Sequence, residues 1–109
     1  MKTDHQILEK VKRGDRQAFS ELVLRHQRAL LRTILRLTRD TSLAEDVTQE
    51  AFMKAFEKLE SFEGRSSFKS WLFQIGLNTA RNKLRGKRRI YIDYEKVNLA
   101  IAVFGTRGN

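Results

Sequence analysis

Apolar residues recur at steps of three and four through most of this 109-residue chain, and no proline interrupts them. Such spacing places apolar side chains on one face of a helix, because a helical turn takes 3.6 residues. Proline breaks helix interiors, so its absence favours long helices. A chain of this length buries most of its apolar surface in one core without metals or disulfides. The sequence therefore predicts an all-α fold, a compact bundle of about four helices.

Residue types that typically cap helix N-termini mark where these helices are expected to begin. The predicted caps are Thr3 or Asp4 for the first helix, Asp15 for the second, Ser42 with Glu45 as a capping box for the third, and Ser66 or Ser67 for the fourth. Gly14 is expected to end the first helix, since glycine favours the position just past a helix C-terminus.

Charge is divided along the chain into three blocks. Residues 10–39 carry nine basic and two acidic residues, residues 40–63 carry two basic and seven acidic, and residues 64–89 carry eight basic and none acidic. An acid-free basic segment with embedded aromatic residues suits a nucleic acid. The acidic block repels phosphate. It indicates either a second, basic partner or internal pairing with the basic neighbours, and charge alone leaves both open.

Two polar faces are predicted on the second and third helices. The third helix places four acids, an amide and a methionine on one stripe, namely Asp46, Gln49, Glu50, Met53, Glu57 and Glu60. This stripe is a solvated surface or, because methionine is an adaptable contact residue, a partner-binding face. The second helix carries a stripe of arginines, namely Arg25, Arg28, Arg32, Arg36 and Arg39. We expect these arginines to form a solvated face, which could pair with the acidic block, and direct nucleic-acid contact is the lesser alternative.

The segment from Ser61 to Arg89 is the predicted nucleic-acid-binding region. It opens with a polar loop, which could hold an extruded base through backbone and hydroxyl groups. The following helix has a predicted inward face of Phe68, Trp71, Leu72, Ile75 and Leu84. Its other side is a ridge of amides and arginines, which can bond bases and phosphates together. The ridge consists of Gln74, Asn78, Arg81, Asn82 and Arg85. Phe68 and Trp71 are either core residues, which we favour, or base-stacking platforms.

Composition also makes several classes of site improbable. Cysteine is absent, and the two histidines, His5 and His26, lie far apart without ligand-like neighbours. We therefore expect no metal site and no cofactor. No nucleophile and base or paired carboxylates suggest a catalytic cleft, so we expect no enzyme. No apolar run reaches membrane-spanning length, and the polar N-terminus is unlike a signal peptide, so the prediction is a cytoplasmic protein.

Three stretches together resemble the second conserved region of bacterial sigma factors of the extracytoplasmic-function group. They are DxxAFxELVxRHQ, AEDVTQEAFMKAF and SFEGRSSFKSWLFQIGLNTARNKLR, and the resemblance runs from about Gly14 to Arg89. It implies a helical bundle whose last two long helices form a corner around a loop. It also implies that the third helix docks on the clamp helices of the largest subunit of core RNA polymerase. The loop and Asn78 would bind unpaired non-template bases of the promoter's minus-ten element.

The resemblance combined with the two faces defines two candidate sites. The candidate polymerase-binding residues are Asp46, Gln49, Glu50 and Met53. The candidate DNA-binding residues are Ser61, Phe62, Gly64, Arg65, Ser66, Ser67, Gln74, Asn78, Arg81, Asn82, Arg85 and Arg88. An anti-sigma protein is a further candidate partner, which the residues themselves do not indicate.

The resemblance also divides the chain into two predicted parts. Residues 1–89 are the expected sigma region 2-like domain, and residues 90–109 are a short tail or the start of a linker. Those 20 residues cannot form the second, helix-turn-helix domain of the family. The alternative function is a self-contained helical regulator that binds duplex DNA, whose signature would be tight duplex binding without polymerase.

Overall fold

The computed structural model describes residues 1–85, and this part of the chain is helical. The helices are α1 (Asp4–Lys12), α2 (Phe19–Thr38), α3 (Thr41–Glu57) and α4 (Phe68–Arg85). Two 3₁₀ turns, Arg16–Ala18 and Leu59–Ser61, precede α2 and follow α3. Residues 1–85 contain no β-strand, so the prediction of an all-α bundle of about four helices is confirmed. The predicted tail, residues 90–109, lies outside the described residues.

The ends of α1 agree with the sequence. Thr3 and Gln6 form a capping box, in which each side chain accepts a hydrogen bond from the other residue's backbone N–H. Arg13 is the C-cap, and Gly14 follows with φ of +112°. A side chain is strained at that angle, so glycine suits the position.

The predicted starts of α2 and α3 were wrong. The Asp15 side chain makes no capping hydrogen bond; a 3₁₀ turn follows it, and α2 begins only at Phe19. The capping box of Ser42 and Glu45 is also absent as the start of α3. Asp40 is the N-cap, and its carboxylate accepts a hydrogen bond from the Leu43 backbone N–H at 3.0 Å. The cause is a tight connection, in which Arg39 adopts φ of 55° and leaves Asp40 as the residue before the helix.

One core runs through the bundle, where α2, α3 and α4 pack together. Residues with no exposed surface come from all three helices, including Leu22, Leu30, Ile34, Val47, Ala51, Leu72 and Leu77. At one end of the core, Phe19 makes edge-to-face contacts with Phe52, Phe56 and Phe68, with ring centroids 5.2–6.4 Å apart. Such contacts add to the stabilisation from burial alone. Phe73 and Leu77 belong to this core, although the predicted inward face of α4 omitted them.

Helix α1 is held against α2 by Asp4. Its carboxylate contacts Arg25 Nη1 at 3.1 Å and His26 Nε2 at 2.7 Å, and all three side chains are largely buried. Arg25 also pairs with Glu21 at 3.7 Å. The partners of Arg25 therefore lie outside the acidic block, which corrects that part of the prediction. The rest of the arginine stripe is exposed, as a solvated face requires; its members are Arg28, Arg32, Arg36 and Arg39.

Candidate nucleic-acid interface and partner face

The loop between α3 and α4 is built on buried aromatic rings. Phe62 is only 7% exposed, and its ring centroid lies 4.8 Å from that of Trp71 and 6.3 Å from that of Phe68. The Phe62 carbonyl also accepts a hydrogen bond from Lys12 Nζ at 3.1 Å. The ring of Phe62, a candidate contact, therefore packs beneath the loop and does not reach the surface. Phe68 is buried and Trp71 is partly buried, so the core alternative holds for Phe68 and largely for Trp71.

Above these rings, the loop presents small and polar groups to solvent. Ser61, Gly64, Arg65 and Ser67 are exposed, and Ser66 is half-buried. Gly64 has φ of +78°, and a Cβ added there would meet nothing within 4 Å, so the backbone is open to a ligand. Arg65 pairs with Glu63 at 3.4 Å, although both side chains are largely solvated. A surface of exposed backbone and hydroxyl groups over an apolar floor can accept a planar group with hydrogen-bonding edges.

Ser67 fixes the start of α4. Its Oγ accepts a hydrogen bond from the Ser70 backbone N–H at 3.0 Å and lies 3.0 Å from Ser70 Oγ. This is the geometry of an N-cap, and it confirms Ser67 as one of the two predicted caps. The cap couples the loop to the helix, because the same residue belongs to both.

The predicted ridge lies along one side of α4. Gln74, Asn78 and Arg81 are half-buried, and Asn82 and Arg85 are exposed. Arg81 Nη2 donates to Asn78 Oδ1 at 3.4 Å, so the amide at the centre of the ridge is held by a neighbouring cation. Because a helix rises 1.5 Å per residue, the ridge extends over about 17 Å, room for several nucleotides. Arg88, the last DNA-binding candidate, lies outside the described residues.

The candidate partner face lies on α3, and three of its four residues are exposed. Met53 is 62% exposed, an unusual position for a large apolar side chain. Asp46 and Gln49 are exposed as well, and Asp46 forms no ion pair within residues 1–85. An open apolar groove of about 360 Å³ adjoins Met53, and its other lining residues are Phe19, Val23, Phe52, Phe56 and Glu57. Helical spacing does not indicate this groove, because it forms only where Phe19 and Val23 of α2 pack beside Phe52 and Phe56 of α3.

Glu50 differs from the rest of the partner face, because it is already paired within the bundle. Its two carboxylate oxygens contact Lys54 Nζ and Lys83 Nζ, each at 3.1 Å. These hydrogen bonds, from Lys54 first and then Lys83, lower the pKa of the Glu50 carboxyl below its ordinary value. Lys54 Nζ also donates to Thr79 Oγ1 at 3.1 Å. Internal pairing of the acidic block is therefore observed at Glu50, whereas Asp46 remains open to a partner.

Two other kinds of feature are absent from the described part of the chain. Residues 1–85 contain no group of His, Asp or Glu side chains placed to hold a metal ion. Within the same residues, no helix has the length and apolar character needed to cross a membrane.

Comparison with known sequences identifies the family. The family model for sigma-70 region 2 matches residues 22–90. The RNA polymerase sigma-H factor of Pseudomonas aeruginosa is 48% identical over 87 residues, which cover 78% of this chain and 45% of the relative. The ECF RNA polymerase sigma-E factor of Escherichia coli K12 is 41% identical over 87 residues, covering 80% and 45% respectively. The chain thus spans about half the length of the curated relatives it matches.

Two solved structures share the architecture. An engineered region 2 of sigmaE, in complex with GTAAAA, superposes with a TM-score of 0.73 at 39% identity, covering 81% of this chain and 92% of that one. CnrH, in complex with the cytosolic domain of CnrY, superposes with a TM-score of 0.68 at 28% identity, covering 94% and 65%. With the matched family model and relatives, they establish that this chain belongs to the sigma-70 region 2 family and resembles the extracytoplasmic-function sigma factors.

Proposed function

We propose that this chain is the part of a transcription initiation factor that binds core RNA polymerase and the unpaired minus-ten element of a promoter. One observation carries the proposal. Two polar surfaces of opposite character lie on separate helices of one bundle, an acidic face on α3 and a loop and ridge ending in cations on α4. A protein that only coats DNA has no use for the acidic face, because it repels phosphate.

The loop and ridge suit a single strand better than a duplex. Taking a base out of the stack costs a few kcal/mol, and the protein must offset that cost through contacts made only with the unpaired base. The exposed backbone at Gly64 and the nearby serine hydroxyls provide such contacts, and Asn78 and Arg85 can follow the strand. The sigmaE neighbour was solved in complex with GTAAAA, and this supports nucleic-acid binding by the chain. No bond is made or broken in this function, so the proposed activity is binding and not catalysis.

The acidic face suits a basic protein partner. Asp46, Gln49 and Met53 are exposed on one side of α3, where charge can steer association and methionine can adapt to a surface. Relatives named as RNA polymerase sigma factors support core RNA polymerase as that partner. We propose the clamp helices of its largest subunit as the surface that the α3 face contacts. This role places the chain in the cytoplasm. We also propose an anti-sigma partner, on the basis of the CnrH neighbour solved with CnrY.

The test separates this function from that of a duplex-binding regulator. Binding is measured for a non-template oligonucleotide containing GTAAAA and for the matching duplex, with and without core polymerase, at two salt concentrations. We expect weak, salt-sensitive binding of the oligonucleotide by the chain alone, with a dissociation constant of about 1–100 μM. Core polymerase should increase the affinity of the chain for the oligonucleotide. Tight, sequence-specific duplex binding without polymerase would contradict the proposal and support the regulator.

A matched pair of variants tests the partner face separately. Asp46→Lys reverses an exposed charge that has no ion-pair partner in residues 1–85, so it should weaken binding to core polymerase while leaving the melting temperature nearly unchanged. Glu9→Lys makes the same charge change on the exposed side of α1 and serves as the control. Equal effects of the two variants on polymerase affinity would show that the α3 face is not the contact.

A further inference from the structure

A single carboxylate joins the two surfaces. Glu50 belongs to the acidic side of α3, and Lys83 belongs to the last turn of α4, between Asn82 and Arg85. Their side chains meet at 3.1 Å, although 33 residues separate them in the sequence. Each side chain keeps about a third of its surface exposed, 37% for Glu50 and 35% for Lys83. The pair is therefore accessible to a competing ligand on either side.

Lys83 occupies the edge of the ridge. Successive residues of a helix are 100° apart around the axis, and the contact with Glu50 places Lys83 on the α3 side of Asn82. Its side chain has a flexible four-carbon stem, and the ammonium is a mobile point charge. In the structure this charge is directed to Glu50. Lys83 is thus a cation at the margin of a predicted strand-binding surface whose charge is neutralised within the protein.

The energies permit Lys83 to exchange partners. Ion pairs at this level of exposure contribute only about 0–1 kcal/mol, since water and salt screen them. A new lysine–phosphate contact releases a counterion, which favours binding to a single strand by about fivefold at 0.1 M salt. Glu50 also keeps a partner when Lys83 leaves, because Lys54 contacts its other oxygen at 3.1 Å and is itself anchored to Thr79. The Glu50 carboxylate therefore stays paired with Lys54 when Lys83 moves to a phosphate.

We propose that Lys83 is a nucleic-acid-binding residue that Glu50 restrains in the unbound chain, so that strand binding at Lys83 and binding of a basic partner at Glu50 favour each other. The inference rests on the proposed function. A strand phosphate that takes Lys83 makes the Glu50 carboxylate more available to the partner. A cationic partner that takes Glu50 makes Lys83 more available to the strand. Such coupling must be equal in both directions, because binding free energies are linked.

A double-mutant cycle on the full chain tests the competition. Affinity for a single-stranded oligonucleotide containing GTAAAA is measured at several salt concentrations for the wild type, Glu50→Gln, Lys83→Met and the double variant. Glu50→Gln should tighten binding by up to about fivefold at 0.1 M salt and steepen the salt dependence by up to about 0.7 in the log–log slope. Most of that gain should disappear in the Lys83→Met background. An equal gain with and without Lys83 would overturn the inference, because it would show a general effect of removing negative charge.

Glu57→Gln is the matched control for charge. Glu57 lies two turns after Glu50 on α3, is exposed, and has no ion pair within residues 1–85. Its substitution should change affinity only slightly, and equally with and without Lys83. Thermal unfolding of every variant verifies that each is folded at the temperature of the binding measurement. If the affinity change caused by Glu57→Gln depends on Lys83 as strongly as the change caused by Glu50→Gln, the specific pairing of Glu50 with Lys83 is overturned.

Core polymerase extends the test to the coupling. In the wild type, saturating oligonucleotide should raise the affinity for polymerase, and Lys83→Met should reduce that enhancement. If Lys83→Met still binds both partners and the oligonucleotide raises its polymerase affinity as much as in the wild type, the inference is overturned and the proposed function stands. Failure of the wild-type chain to bind either partner overturns the proposed function and the inference with it.

Discussion

Gly76 of α4 lies directly against Leu30 of α2 at the centre of the bundle. A Cβ built on Gly76 would lie 2.9 Å from Leu30 Cδ1 and 3.7 Å from the Cβ of Ala51 on α3. Leu30 is fully buried, and side chains in a close-packed protein core have little room to move. Three helices therefore approach one another at a position where only glycine fits without a shift. The approach sets how closely α4, which carries the ridge, packs on α2 and α3.

Gly76→Ala should lower the free energy of unfolding by about 1 kcal/mol. Alanine favours a helix interior over glycine by about 1 kcal/mol. Overpacking a well-filled core costs about 1–3 kcal/mol, so the steric term prevails. Urea unfolding monitored by circular dichroism measures the difference between the variant and the wild type.

The control for this prediction removes the obstructing side chain. Leu30→Ala alone should cost about 2–5 kcal/mol, because it leaves a cavity. In that background, Gly76→Ala meets no Cδ atom, so it should stabilise the protein through helix propensity and partial filling of the cavity. The same destabilisation in both backgrounds would show that Leu30 is not the obstacle.

Ser67→Ala should destabilise the start of α4. The Ser67 hydroxyl oxygen is the acceptor for the Ser70 backbone N–H, and loss of a serine N-cap typically costs about 1 kcal/mol. Ser66→Ala is the matched control, because within residues 1–85 the Ser66 hydroxyl donates only to the adjacent Ser67 carbonyl, at 3.2 Å. Equilibrium unfolding of the two variants should separate them by about 0.5–1 kcal/mol. Equal stability of both variants would contradict the assignment of Ser67 as the cap.

The helices could be predicted from the sequence because helix formation depends on local periodicity. The apolar steps of α2, α3 and α4 are visible in the residues themselves, and Thr3 and Ser67 cap as their types suggest. The start of α3 could not be predicted in the same way. It depends on Arg39 adopting a left-handed conformation, which is uncommon for a non-glycine residue and which the residue type does not indicate.

The sequence predicts which residues share the polar faces of α3 and α4. It does not predict which of their side chains contact one another. Helical spacing alone groups Asp46 with Met53, and Asn78 with Arg85. It does not show that Glu50 is held by Lys83, because that contact depends on how α3 packs on α4. It also does not show that the Phe62 ring is buried under Trp71, because a loop residue has no periodicity to indicate its direction.

The pairing of Glu50 predicts a pH dependence of stability. Hydrogen bonds from Lys54 and Lys83 hold the folded-state pKa of the Glu50 carboxyl below its ordinary value of about 4.5, so folding favours the ionised form. The stabilisation is full above about pH 4.5 and is lost as the pH falls through the lower, folded-state pKa. Glu50→Gln should remove at most about 1 kcal/mol at pH 7 and less at pH 3, since the pair is solvent-screened. Thermal unfolding of the wild type and Glu50→Gln from pH 3 to 7 measures how the difference in stability between them changes. A difference that is the same at every pH would contradict the prediction.

Asn78 and Arg85 should affect promoter recognition in different ways. Asn78 presents an amide held by Arg81, so Asn78→Ala should reduce discrimination between minus-ten sequences by about 1–3 kcal/mol. Arg85 is an exposed cation at the end of α4, so Arg85→Ala should weaken binding to all sequences alike and reduce the salt slope by about 0.7. Binding of matched and mismatched single strands at several salt concentrations separates the two effects. If Asn78→Ala instead weakens every sequence equally, Asn78 positions the strand without reading it.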